Sequence, residues 1–294
     1  MKLTQKQISS TQRILIYGPP KTGKSQLAGS LSEFKNLLWF DLENGYSTLL
    51  KFHEEWKEKI EIISIPDTKS FPVAIETCLK VIKGAKVSIC EEHGKVSCSL
   101  CKTQEKPSVD VCLNDLSEDT VVVFDSLTQL TTSAISHITR NKPDDYRMEF
   151  DDWGALSKLM ETFLSHIQQA KYSVVCISHE TEAELEDGKF KLVPVAGSRA
   201  FSRNTAKYFD HVIYAGLVNK KHCFYSSTTS ANNLNTGSRS GIALESIEGS
   251  PLITLFNPPP TVTSVTPTQG DAVKQTTNAS ANERMQALLK GMKK

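Results

Sequence analysis

Five short runs of this chain are almost continuously apolar and rich in β-branched residues: Arg13–Tyr17, Asn36–Phe40, Ile60–Ile65, Thr120–Phe124 and Tyr172–Ile177. A strand with one wet face alternates apolar and polar residues, whereas a parallel strand covered on both faces reads as an unbroken apolar run. The five runs therefore predict buried strands. Between them the apolar residues recur at helical spacing. Residues 151–170 place Trp153, Leu156, Met160, Phe163, Leu164 and Ile167 on one face behind an Asp151-Asp152 start signal, and 72–83 does the same with Val73, Ile75, Leu79 and Ile82. Strands alternating with helices predict a doubly wound α/β core. After about residue 205 the pattern turns to extended segments, Asp210–Val218, His222–Ser226 and Ile253–Phe256, which predict a β-rich end of the same sheet.

At Asn257 the pattern stops. Pro258-Pro259-Pro260 leads into a Thr/Gln/Ser/Asn-rich stretch with too few apolar residues to form a core, so 257–281 is expected to be a disordered linker. Helical spacing returns over 282–294 through Met285, Leu288, Leu289 and Met292, with Arg284, Lys290, Lys293 and Lys294 supplying charge. The expected organisation is a core over 1–256, a tether, and a basic amphipathic helix suited to docking on a partner.

Composition narrows the class. The chain is 39% hydrophobic and 23% charged, as soluble globular proteins are, and its formal net charge of +1 gives no global field for a nucleic acid. Any such binding has to come from local patches. The first residues lack the apolar core of a signal peptide and no run approaches a membrane span, so a cytoplasmic protein with no membrane partner is expected.

The first strand runs into Gly18-Pro19-Pro20-Lys21-Thr22-Gly23-Lys24-Ser25, which fits G-x-x-x-x-G-K-[ST], the phosphate-cradling P-loop. Its two glycines let the backbone turn so that successive N–H groups face phosphate oxygens. Lys24 adds a charge for the β/γ-phosphates, Ser25 a ligand for Mg²⁺, and the helix that follows presents its positive end. ATP and Mg²⁺ are the implied cofactors. A P-loop also needs a carboxylate for the Mg²⁺ shell, expected at the end of a strand next to the P-loop strand. Val121-Val122-Val123-Phe124-Asp125 supplies Asp125. Asp41-Leu42-Glu43-Asn44-Gly45 follows another strand, and a carboxylate just past that tip is placed to activate a water; Glu43 is the first candidate and Asp41 the second. A third strand ends in Ser178-His179-Glu180, where a polar side chain can sense the γ-phosphate.

Seven cysteines, an odd number with four between Cys90 and Cys112, argue for a metal site in a reducing compartment over a disulfide framework. Cys90, His93, Cys98 and Cys101 form C-x₂-H-x₄-C-x₂-C. The two-residue gaps let ligands converge from tight turns, and the donor set suits tetrahedral Zn²⁺. Cys112 is an alternative to His93, and a redox C-x-x-C or unligated surface cysteines are alternatives to zinc. The polar segment 84–117 cannot build its own core, so metal would fold it, as a small zinc-binding insertion.

Taken together, I-L-I-Y-G-P-P-K-T-G-K-S, W-F-D-L-E-N-G, T-V-V-V-F-D-S-L-T and V-V-C-I-S-H-E, spread over 13–218, resemble the RecA-like P-loop ATPase core. Within it they resemble the small phage ATP-binding proteins of the Sak type, which act in single-strand annealing and recombination. The resemblance implies a mostly parallel sheet. It implies that Lys24 and Ser25 bind phosphate and Mg²⁺, Asp125 is the Walker B carboxylate, Glu43 activates water, and His179 takes a sensor position often held by glutamine. The histidine is a departure, as are Pro20 and Lys21 where many relatives carry glycine. It also implies a homo-oligomer whose loops after the Walker B and sensor strands face single-stranded DNA. Here these are Ser136–Phe150, with His137, Arg140, Lys142, Tyr146 and Arg147, and Thr181–Lys207, with Lys189, Lys191, Arg199 and Arg203. Basic residues interleaved with aromatics suit phosphates and stacked bases. The terminal helix would then meet the acidic tail of a single-strand binding protein. Two other readings stay open: a nucleotide-gated DNA-binding module with negligible turnover, and an ATPase acting on protein partners.

Overall fold

The computed structural model describes residues 11–184, 188–226, 233–239 and 252–256; the linker and terminal helix expected from 257 onwards lie outside them. The strands are β1 (Arg13–Gly18), β2 (Asn36–Asp41), β3 (Ile60–Ser64), β4 (Val87–Cys90), β5 (Ser108–Val111), β6 (Thr120–Asp125), β7 (Ser173–Glu184), β8 (Phe190–Pro194), β9 (His211–Val218), β10 (Lys221–Tyr225) and β11 (Gly237–Ser238). The helices are α1 (Lys24–Gly29), α2 (Glu54–Lys57), α3 (Val73–Val81), α4 (Ser99–Thr103), α5 (Leu127–Thr139), α6 (Phe150–Gln169), α7 (Arg199–Ser202) and α8 (Ile253–Phe256). The protein is an α/β fold around a central sheet of order β10-β9-β1-β7-β6-β2-β3. From β3 to β9 every pairing is parallel, and β10 closes the other edge as an antiparallel hairpin with β9.

All five apolar runs are strands of this sheet; in the four central ones a period of two places apolar residues on both faces, whereas β3 at the edge exposes Glu61 and Ile62. Leu15, Tyr17, Leu38, Phe40, Val122, Phe124, Val174 and Cys176 point to one side, where they meet Ile75 of α3, Leu130 of α5, and Met160 and Phe163 of α6. Their neighbours Ile14, Ile16, Leu37, Trp39, Val121, Val123, Val175 and Ile177 point to the other, against Leu27 of α1, Leu31, and Leu255 of α8. With helices on both faces, every position of a central strand is a core position.

Helix α6 begins with a reciprocal cap, in which the Glu149 side chain takes the Asp152 backbone N–H while the Asp152 carboxylate takes that of Glu149. Leu156, Met160, Phe163, Leu164 and Ile167 are buried as their spacing predicts, but Trp153, one turn from the start, is 42% exposed. Four further expectations are corrected. The strand ending in Asp125 is not next to the P-loop strand, because β7 lies between β6 and β1. Ile253–Phe256 is a turn of helix packed on the α1 face, not a strand. Residues 136–139 are the last turn of α5 and not loop. The Thr181–Lys207 stretch is also structured: β7 runs past the sheet to Glu184, pairs antiparallel with β8, and is followed by α7. Between α3 and β6, β4 and β5 form a separate two-stranded sheet, to which Val96 adds a bridge at Ile89.

Candidate active site

Parallel strands in register bring their carboxyl ends to one edge. Gly18 pairs with His179, Asp125 with Ile177, and Asp41 with Asp125, so the P-loop, both carboxylate tips and the His179 tip meet there. Gly18 is required by packing, since a Cβ at this position lies 2.1 Å from the carbonyl oxygen of Ala215 on β9. Gly23 has φ 85° as the residue before α1, and a Cβ there meets the His222 ring at 2.9 Å. Between them Lys21 takes a left-handed φ of 65°, a conformation that favours glycine.

The loop and strand tips enclose a cleft of about 510 Å³. At its base the Lys24 ammonium is buried and donates to the carbonyls of Gly18 (3.1 Å) and Pro19 (2.7 Å). Burial lowers its pKa from the ordinary lysine range, against the pull of Asp125, Glu43 and Glu180. The Ser25 hydroxyl donates to the Asp125 carboxylate at 2.8 Å. This contact spans the intervening strand: the loop after β1 and the end of β6 meet over Ile177 of β7, which lines the cleft. Burial pushes the Asp125 carboxyl up to about 7, with the Ser25 bond opposing it.

The loop after β2 sorts its two acidic residues by where they point. Asp41 is fully buried and accepts backbone N–H groups from Glu43 (3.3 Å), Gly45 (3.0 Å) and Tyr46 (3.4 Å). Its oxygens hold the turn together. Glu43 instead lines the cleft, accepts from the Ser126 hydroxyl, and lies 3.8 Å from His179 Nε2. Burial alone would raise the Glu43 carboxyl; the neighbouring His179 ring, the Ser126 hydrogen bond and the Lys24 charge outweigh it and hold its pKa below the ordinary value. His179 Nδ1 faces Lys24 Nζ at 3.5 Å. An ammonium only donates, so Nδ1 accepts and the ring proton sits on Nε2, toward Glu43. The His179 backbone N–H donates to Thr128 Oγ1 at 2.8 Å, which ties this tip to the start of α5.

Four lining residues lie outside the motifs, Gln26, Thr48, Lys51 and His222, and a fifth, Ser126, lies within one that assigns it no role. Ser126 is the N-cap of α5 as well as the partner of Glu43. Its signal was its place beside Asp125. His222 reaches the P-loop from β10 and donates from Nδ1 to the Thr22 carbonyl at 2.9 Å, a contact across 200 residues that no local pattern announces.

A family profile described as an AAA domain matches residues 10–240. The chain belongs to the AAA domain family. Its core is that of a P-loop ATPase, and the matched span runs from the entry to β1 through β11. No curated protein matches this chain. Among solved structures it is similar to a prototypical ATPase from the type III secretion system of pathogenic bacteria, with 14% identity, a TM-score of 0.37, and coverage of 71% of this chain and 51% of that one. The chain thus spans about half the length of that ATPase.

Within the AAA domain, Cys90, His93, Cys98 and Cys101 come together at the end of the β4–β5 unit, their ligand atoms all within 4.8 Å of one another. A zinc tetrahedron with Zn–S bonds of about 2.3 Å has edges of about 3.8 Å, so these side chains fit one without rearrangement of the backbone. His93 Nδ1 lies 3.1 Å from Cys101 Sγ and 3.9 Å from Cys98 Sγ. Cys112 is elsewhere, its thiol donating to the Gly84 carbonyl. The basic residues of the expected DNA loops are spread out. Arg140 is paired with Glu76, and Lys142 lies 4.8 Å over the Tyr146 ring, whose hydroxyl donates to Asp152. Arg147, Arg199 and Arg203 are exposed, and Phe150 is 90% exposed. Among the described residues no helix is long and apolar enough to cross a membrane.

Proposed function

We propose that the cleft binds ATP with Mg²⁺ and hydrolyses the β–γ anhydride with water, and that Glu43 is the general base. The observation that carries this reading is the meeting of Ser25 and Asp125 at 2.8 Å beside the buried Lys24, with Glu43 facing the same space. Ser25 and Asp125 would hold the Mg²⁺; when bound, it offsets charge on the phosphate oxygens. Lys24 leaves its P-loop carbonyls to meet the terminal phosphates. The P-loop backbone N–H groups and Lys24 together supply electrostatic stabilisation, the largest contribution in phosphoryl transfer. Glu43 is ionised at neutral pH, its pKa being held low, and so accepts a proton from water. Asp41 is the weaker candidate, because its oxygens are engaged by three backbone N–H groups. His179, bridging Lys24 and Glu43, registers the terminal phosphate and passes its loss along β7 into the β7–β8 hairpin.

The finer reading is a RecA-like, Sak-type protein, active as a homo-oligomer, that couples this ATPase to single-stranded DNA in annealing or recombination. It is favoured by the motif order and by the surface around Lys142, Tyr146, Arg147 and Phe150, where charge and exposed aromatic area coincide. Arg140, Arg199 and Arg203 would add phosphate contacts. Zn²⁺ on Cys90, His93, Cys98 and Cys101 would be structural, as four protein ligands complete the shell. The terminal helix would dock on a single-strand binding protein, in the cytoplasm. ATP hydrolysis measured with and without single-stranded DNA, beside Lys24→Ala, tests the whole. Stimulation by DNA that the variant loses supports the coupled reading. Hydrolysis indifferent to DNA leaves the ATPase and moves the search to protein partners, and DNA binding with negligible turnover leaves a nucleotide-gated module.

A further inference from the structure

The hairpin of β9 and β10 brings a side chain to the P-loop from the edge of the sheet. Its two-residue turn holds Asn219 and Lys220 at left-handed φ of 50° and 64°, the conformation that so short a hairpin turn requires. The turn fixes the register, with His222 opposite Leu217 and Phe224 opposite Ala215. Ala215 and Phe224 belong to the α1-side core, so His222, two residues before Phe224, projects on that side too. A slip of one residue would turn the imidazole to the other face of the sheet. In this register Nδ1 donates to the Thr22 carbonyl at 2.9 Å, and the ring fills the space a Cβ on Gly23 would need. A carbonyl only accepts, so Nδ1 carries the proton.

We propose that His222 is a positioning residue that locks the Thr22–Gly23 peptide in its phosphate-binding orientation. The inference rests on the reading of the cleft given above, in which P-loop N–H groups meet the phosphates. In a trans peptide the carbonyl and the following N–H point in opposite directions, so holding the Thr22 carbonyl toward β10 turns the Gly23 N–H away from it. That orientation needs a lock. A peptide flips when ψ of one residue and φ of the next change together, and a glycine accepts either sign of φ at little steric cost. Gly23 sits at φ 85°, and the Thr22 hydroxyl is spent on the Pro19 carbonyl at 2.8 Å. A flip would put the Thr22 carbonyl oxygen in the place of the Gly23 N–H, an acceptor facing a phosphate oxygen. Without the lock the loop divides between two orientations, and phosphate affinity falls by the fraction that remains competent. A bound ligand holds the competent loop, so the rate at saturation changes little.

Calorimetric titration of the full chain with ATP and with inorganic tripolyphosphate, each with Mg²⁺, tests this, together with the amide resonance of Gly23. His222→Ala and His222→Phe should each weaken both ligands by the same factor, about tenfold, the size of one lost hydrogen bond. The kcat at saturating ATP should stay within about threefold, and the Gly23 resonance of the free protein should broaden or double. His222→Asn carries an amide N–H close to where Nδ1 stands. It should return both affinities to within about threefold and restore a single Gly23 resonance. If His222→Phe binds as the unaltered chain does and His222→Asn does not, the ring serves by its bulk and the lock is overturned. A loss confined to ATP would make His222 a contact of the nucleoside, which also overturns it. If His222→Ala does not fold, His222→Phe and His222→Asn carry the test. Binding of neither ligand by the unaltered chain overturns the cleft reading and the lock with it, a result told apart from the others because it involves no variant.

Discussion

The phosphate cleft and the Cys/His cluster are both small groups of polar side chains, yet the chain holds them in opposite ways. The cleft draws its groups from the tips of β1, β2, β6 and β7, and those tips are fixed by a sheet buried on both faces. Removing any one side chain leaves the others in place. In the cluster, Cys90, Cys98 and Cys101 form a buried group of their own, detached from the two main cores. The β4–β5 unit is anchored to the domain on its other side: Ile89, Val96 and Val111 are buried in the main core, Thr77 donates to the Gly94 carbonyl at 2.7 Å, the Phe71 ring meets His93, and Gly94 packs so closely on Ile65 that a Cβ would lie 2.7 Å from its Cα. One site is positioned by the fold. The other is a separate cluster on the turns of a small unit whose apolar side joins the main core through Ile89, Val96 and Val111.

The strongest way to separate them is to strip the cleft. Lys24→Ala removes a charge-assisted contact to phosphate, worth roughly ten- to a hundredfold in ATP affinity, and a donor to the transition state worth on the order of 10²–10³ in kcat. Folding and metal content should be unchanged, as judged by calorimetry and atomic absorption. Glu43→Gln keeps the shape of the cleft, so ATP affinity should stay within a few-fold while kcat falls by about 10²–10⁴. Asp41→Asn should show the reverse character. It disturbs a loop cap, and its loss of activity should come with a lower melting temperature.

The complementary experiment strips the cluster. The purified protein is expected to carry close to one zinc per chain, and Cys98→Ser or a strong chelator should remove it. Hydrogen exchange should then rise across 84–117 while β1, β6 and β7 stay protected, and basal ATP turnover should fall by no more than about threefold. A metal content near zero in freshly purified protein would end the zinc assignment. Uniform loss of protection would show that the module supports the core through Ile89, Val96 and Val111.

What the sequence made legible follows the same division. Burial writes itself into periodicity, so β1, β2, β3, β6, β7, α3 and α6 could all be placed in advance. Neighbour relations do not. Nothing in Val121–Phe124 says that β7 rather than β1 lies alongside, and the four residues of α8 are too few to show a period. The β7–β8 hairpin was hidden because its charged, partly exposed residues, Glu182, Glu184 and Lys191, read as loop. Within the cleft, the motifs located Lys24, Ser25 and Asp125, but D-x-E carries no signal for which carboxylate turns inward to the backbone N–H groups of its loop. That is decided by the 0% exposure of Asp41 at the end of β2. His222 arrives from a strand two hundred residues away, and long-range partners of that kind are legible only in three dimensions.

The smallest predicted effect is the most diagnostic of how the fold tunes the cleft. Ser126 both caps α5, accepting from the Gln129 N–H at 3.3 Å, and donates to Glu43. Burial pushes the Glu43 carboxyl up, and the His179 ring 3.8 Å away together with the Ser126 hydrogen bond pulls it down past its ordinary value. A base must be deprotonated, so the acid limb of the kcat–pH profile follows this pKa. Ser126→Ala deletes one of the opposing donors, and the limb should move to higher pH, with the rate above neutrality reduced by less than about fivefold. The lost cap should cost about 1 kcal/mol of stability. Threonine at 126 keeps the hydroxyl and should restore the limb. If the limb does not move while stability falls, Ser126 serves α5 alone. The His179 ring is then what keeps Glu43 ionised, and the tuning belongs to β7 instead of β6.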